Sequence, residues 1–91
     1  MGFTEVTERP QVQMELRTSK LRRGDTIIEQ VADRDHPYRE VVLIEHPTTD
    51  VMTYEGHDVP VKYLKGTDAR TGRLVQYTGT EFTYWQIVRQ F

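Results

Sequence analysis

An all-β fold is what this sequence predicts: a small barrel or compact sandwich of six to seven short antiparallel strands. Three observations carry the expectation. Apolar residues recur with period two along several short runs, the spacing of a strand with one buried face. Polar breaks built on Gly, Asp, Thr and Pro separate those runs at regular intervals. No segment combines a cap with the 3.6-residue apolar stripe of a helix.

Each element follows from its own pattern. Val12, Met14 and Leu16 alternate with Gln13, Glu15 and Arg17, a first strand that Thr18-Ser19-Lys20 interrupts. Leu21-Arg22-Arg23-Gly24-Asp25 precedes the β-branched run Thr26–Val31, and Gly24-Asp25 suits a tight turn there. Asp33–Pro37 is a second break. Glu40–His46 carries Val41-Val42-Leu43-Ile44, an unbroken apolar run expected at the centre of the sheet with both faces covered. Pro47–Asp50 reads as a turn and Val51–Tyr54 as a short strand before Glu55-Gly56-His57-Asp58. Val59, Val61 and Tyr63 alternate again, and Pro60, which has no N–H, belongs at an edge or a strand start. Lys65–Arg73 is an Asp-containing loop closing on Gly72, the chemistry of a type I turn with a left-handed glycine. It makes a hairpin of Val61–Leu64 and Leu74–Tyr77. After Thr78-Gly79-Thr80, the run Glu81–Arg89 alternates Phe82, Tyr84 and Gln86 against Thr83, Trp85 and Ile87. We expect Phe82 to point inward with Tyr84, while Trp85 is at least partly available.

With 91 residues the chain is one domain with a thin core: a flexible arm over residues 1–10, then a barrel over 11–91. It has no Cys, which removes disulfides, thiolate nucleophiles and Cys-based zinc sites. No run approaches the length of a bilayer span, and Met1–Gln11 lacks the basic-then-apolar order of a signal peptide. A cytoplasmic protein with no membrane partner is expected. The net charge of −2, from 12 basic and 14 acidic residues, is not that of a DNA-coating protein, although charge can segregate onto one face.

The segment Leu21–Ile28 reads Leu-x-x-Gly-Asp-x-Ile and leads to an Asp-containing loop, Asp33-Arg34-Asp35, and a hydrophobic strand. It resembles the diverging turn and following hairpin of SH3-like barrels, over about a quarter of the chain. The Ala-Leu-Tyr-x-Tyr opening, paired tryptophans and Pro-Ser-Asn-Tyr segment of peptide-binding SH3 domains are absent. The resemblance therefore implies an SH3-like barrel and argues against proline-rich ligands. In overall style, a short charged all-β chain without Cys, the sequence also resembles small accessory proteins of bacteriophages.

Candidate chemistry is sparse. Arg23-Gly24-Asp25 matches an adhesion tripeptide, but that role needs an extracellular loop, so the turn reading is preferred. His36, His46 and His57 lie near Asp33, Asp35, Glu45, Asp50 and Asp58, yet none has the ligand spacing of a metal site within one element. Glu55, Asp58 and Glu81 lack the contrast of apolar and polar surroundings that an acid/base pair requires. Ser19 is the only serine and no Gly-rich phosphate loop occurs. The sequence thus predicts a non-enzymatic module with no cofactor or metal that binds another protein through Trp85, Tyr63, Arg22 and Arg23. The alternative is a nucleic-acid binder using Arg17, Lys20, Arg22, Arg23 and Arg73, where cations hold phosphates beside stacking aromatics. Self-association through the C-terminal strand is a further expectation, if that strand forms an open edge.

Overall fold

The computed structural model describes residues 11–90, so the expected arm over residues 1–10 and the terminal Phe91 lie outside the described residues. Within them one antiparallel sheet contains β1 (Gln11–Arg17), β2 (Thr26–Gln30), β3 (Tyr38–Leu43), β4 (Thr48–Tyr54), β5 (His57–Asp68), β6 (Leu74–Gly79) and β7 (Tyr84–Gln90). The hydrogen-bonded order is β1-β7-β2-β3-β5-β4, with β6 also paired to β5. The sheet curls into a half-barrel, in agreement with the predicted fold class. Leu21, Ile27, Val41, Leu43, Leu64 and Ile87 form the buried core, and Met14, Leu16, Val75, Tyr77 and Trp85 pack around it.

Strand pairing explains where the sequence expectations shift. β3 lies between β2 and β5, as expected for a central strand, but only one of its faces is buried: Val41 and Leu43 are covered while Val42 is half-buried and Ile44 exposed. The turn expected at Pro47–Asp50 is strand from Thr48 onward. The chain bends just after Leu43 instead, and the Ile44 N–H donates to the Lys65 carbonyl at 3.0 Å. The cause is the length of β5. Its one edge receives β3 at Leu43↔Gly66 and then β4 at Thr48↔Tyr63. At Gly66 the strands approach so closely that a Cβ would lie 2.6 Å from both Val41 Cγ1 and the Val42 carbonyl oxygen.

The Lys65–Arg73 loop is shorter than expected, because β5 continues to Asp68. Asp68 Oδ1 accepts the N–H groups of Arg70 and Thr71 at 2.8 and 3.2 Å, and Gly72 takes φ 73°. These bonds hold the Asp68 carboxyl below its usual pKa, the Arg70 N–H contributing most.

One part of the sheet leaves the body. β6 reaches β5 only over Lys62–Thr67, so Asp50–Tyr54 and His57–Val61 form a ribbon of two strands. At about 3.3 Å per residue it extends for about 16 Å. Its two-residue turn has positive φ at both centres, Glu55 at 49° and Gly56 at 78°, the type I′ geometry that matches strand twist. With that turn Tyr54↔His57 is a hydrogen-bonded pair, so Val51↔Pro60 is a non-bonded one. Pro60 therefore costs the ladder nothing. All of β4 is exposed, as is β5 from His57 to Pro60.

Candidate functional site

The corner at Leu21–Asp25 is built by Asp25. Its carboxylate accepts the Arg22 N–H at 2.9 Å and both Nε and Nη2 of Arg89 at 2.8 Å. Gly24 takes φ 92° and donates its N–H to the Leu43 carbonyl. Asp25 is buried and Arg89 nearly so. The pair thus locks the corner to the last strand, and the turn reading of this stretch holds. Arg22 and Arg23 are left exposed on its outside.

Next to the corner, Thr18 is fully buried. Its hydroxyl donates to the Thr83 carbonyl and accepts Trp85 Nε1–H at 2.7 Å. Trp85 also packs on Tyr77, with ring centroids 5.4 Å apart. Trp85 is half-buried, so it is partly available as expected, but the inward placing of Phe82 and Tyr84 is corrected. Trp85 faces the core with Ile87 and Arg89, whereas Tyr84 and Phe82 are more than half exposed. The reason is register: Ile87 and Trp85 share one face of β7, and burying Ile87 commits Trp85. The exposed aromatics are held by Arg17. Its Nε donates to Tyr84 Oη at 3.0 Å, and its guanidinium lies 5.5 Å from the Tyr84 ring and 6.0 Å from the Phe82 ring, within cation–π range.

Phe82 connects this cluster to the ribbon. A groove of about 310 Å³ runs between the Thr80–Phe82 turn and Val59, Pro60, Val61, Lys62 and Thr49. Farther out, Val51, Met52, Tyr54 and Val59 are exposed on the ribbon. Sequence reasoning missed this surface. The signal was present in Tyr54-Glu55-Gly56-His57, a two-residue turn between runs that leave apolar residues on both faces.

Other expected site residues are dispersed. Tyr63 is half-buried on the face of β5 opposite to core-facing Leu64, so it does not share a surface with Trp85. Arg73 follows the Asp68 turn, at the far end of β6 from Gly79 and the Thr80–Thr83 turn, and does not join Arg17, Lys20, Arg22 and Arg23. The last strand is no open edge: β1 pairs with β7 along its length, and β2 pairs with it at Ile87 and Val88. His36, His46 and His57 fall in three separate segments, and among the described residues no three His, Asp or Glu converge on a metal position. Glu55 and Asp58 lie at the ribbon tip, away from Glu81 in the Thr80–Thr83 turn.

A second polar network ties the body together. Glu29 of β2 accepts the Tyr77 hydroxyl and both Nε and Nη2 of Arg39, at 3.0 and 2.8 Å for the arginine. Burial, reinforced by the Glu29 carboxylate, raises the Tyr77 pKa far above that of a free phenol. This arrangement holds three strands in place.

Among the described residues no helix is long and apolar enough to cross a membrane. No family model, curated protein or solved structure matches this chain.

Proposed function

We propose that this chain is a non-enzymatic β-barrel module, of the SH3-like kind, that works in the cytoplasm by binding another protein. One observation carries the reading. Exposed Val59 of the ribbon and exposed Phe82 line a single groove, with Met52 and Tyr54 on the same face of the ribbon as Val59 and Tyr84 beside Phe82 at Arg17. Contiguous apolar surface is uncommon on a protein that acts alone, and Tyr and Arg are the residues that anchor interfaces. The Leu21–Asp25 turn feeding the β2–β3 hairpin supports the barrel comparison. An accessory role of the kind small phage proteins play belongs to this reading, on the overall style of a short, charged, all-β chain without Cys.

A second reading, nucleic-acid binding, has its own support. Arg17 lies against two exposed rings beside Lys20, Arg22 and Arg23, where bases could stack and phosphates be held. Salt and nuclease separate the two. Immobilised full-length chain is expected to retain a protein partner through nuclease treatment and through high salt, and to lose it with Phe82→Ser/Tyr84→Ser. Retention abolished by nuclease, or falling steeply with salt and absent in Arg22→Glu/Arg23→Glu, would replace the first reading by the second.

A further inference from the structure

Two segments of this chain carry opposite charge without internal compensation. Residues 17–23 hold Arg17, Lys20, Arg22 and Arg23 and no acid. Residues 50–58 hold Asp50, Glu55 and Asp58 and neither Lys nor Arg. The fold sets the two apart. The basic segment wraps the corner at the base of the ribbon, where Lys20 and Arg22 share a hollow with His46, just before β4. The acidic segment is the ribbon itself, whose turn lies about 16 Å out at the usual strand rise. Each also has apolar groups to bury. The ribbon presents Val51, Met52, Tyr54 and Val59, and the corner presents Phe82 and Tyr84 with Arg17 across them. Asp25 does not offset the corner, being held by Arg89; Glu81 is the acid beside Phe82.

We infer that the partner for this surface is a second copy of the chain, the acidic ribbon of one copy docking on the basic Arg17–Arg23 corner and the Phe82–Tyr84 rings of the next. A two-stranded ribbon that carries its turn about 16 Å from its base does not bring that turn to the corner there, so the complementarity is satisfied between molecules. The contact is heterologous, because ribbon and corner are different surfaces. Every copy then offers one free ribbon and one free corner, and the assembly closes as a ring or grows as a filament. The inference rests on the binding-module reading and names its partner.

Sedimentation velocity on the full chain tests it, with charges exchanged at each end. The tip variant carries Glu55→Lys and Asp58→Lys, and the corner variant carries Arg22→Glu and Arg23→Glu. All four side chains are exposed, and the circular dichroism of each variant should match that of the wild type. The wild type is expected to sediment as a multimer at about 50 mM salt and to revert toward monomer near 500 mM, as screening predicts. Each variant alone should be monomeric: the tip variant brings a ribbon of net charge +1 to a corner of +4, and the corner variant leaves its acidic ribbon a corner with no net charge. An equal mixture of the two should assemble into one-to-one complexes, the unaltered acidic ribbon of the corner variant docking on the unaltered basic corner of the tip variant. A wild-type chain that is monomeric at low salt, variants that assemble as it does, or a mixture that fails to reassemble would overturn the inference. If the wild type is monomeric yet retains a foreign protein in a Phe82- and Tyr84-dependent way, the head-to-tail assembly fails while the binding-module reading stands. Assembly that tolerates loss of Phe82 and Tyr84 would remove the rings from the interface and contradict both.

Discussion

Leu64 and Val59 belong to the same strand, β5, and live in different environments. Leu64 is flanked on both sides, by β6 at Tyr77 and by the β3–β4 bend, and is fully buried. Val59 pairs with Met52 of β4 on one side, has no strand on the other among the described residues, and is exposed. One strand therefore crosses from a body that spends its apolar residues on folding to a ribbon that leaves them open to contact. The body adds polar locks, Asp25–Arg89 and Glu29–Tyr77–Arg39. The ribbon has local features only: Asp50 Oδ1 accepts the outward N–H of Val51 at 2.7 Å, Lys62 reaches the Thr49 hydroxyl, and Thr53 donates to Asp58. The lesson is that burial and exposure are separated along β5, at about residue 61.

The sharpest break in that comparison comes from the core. Leu64→Ala should lower unfolding free energy by about 2–5 kcal/mol, the range for a buried leucine whose cavity relaxes only partly. Urea denaturation reads this directly, with the slope unchanged. Next in size is the corner lock. Arg89→Ala leaves the buried Asp25 carboxylate without its two strongest partners, and a loss of roughly 3 kcal/mol is expected near neutral pH. Asp25→Asn/Arg89→Met should recover part of that, because the unpaired charge is gone.

The Glu29–Tyr77 bond gives a smaller, pH-dependent effect. The folded state raises the Tyr77 pKa, mainly through burial and then through Glu29. A group raised on folding contributes its stability fully below its unfolded pKa, about 10 for tyrosine, and loses it as pH rises toward the folded value. The melting temperature should therefore fall as pH climbs past about 10, and Tyr77→Phe should flatten that part of the decline.

Much of the body was legible in sequence. Alternation located the strand of Val12, Met14 and Leu16, and Gly24-Asp25 located the corner. Pro60 was rightly placed where no ladder bond is needed. What escaped was decided by partners far along the chain. Nothing local to Thr48–Asp50 says that β5 is long enough to hold both β3 and β4 on one edge. The facing of Trp85 and Tyr84 was not legible locally, because Ile87 and Val88 are both β-branched and apolar and lie on opposite faces of β7; the Arg89–Asp25 pair, made across the fold, belongs to the face that is buried. The candidate surface was least legible. Alternation finds strands but does not tell a ribbon from a strand covered by the body, so Val51, Met52 and Tyr54 read as ordinary strand residues.

The most direct measurement of the separation is a single variant read two ways. Val51→Ser/Tyr54→Ser alters the ribbon only, at positions 60% and 63% exposed. Urea unfolding is expected to change by no more than about 0.5 kcal/mol, as for surface positions generally, while low-salt association falls at least tenfold. A loss of folding stability as large as that of Leu64→Ala, or association equal to that of the wild type, would contradict the account.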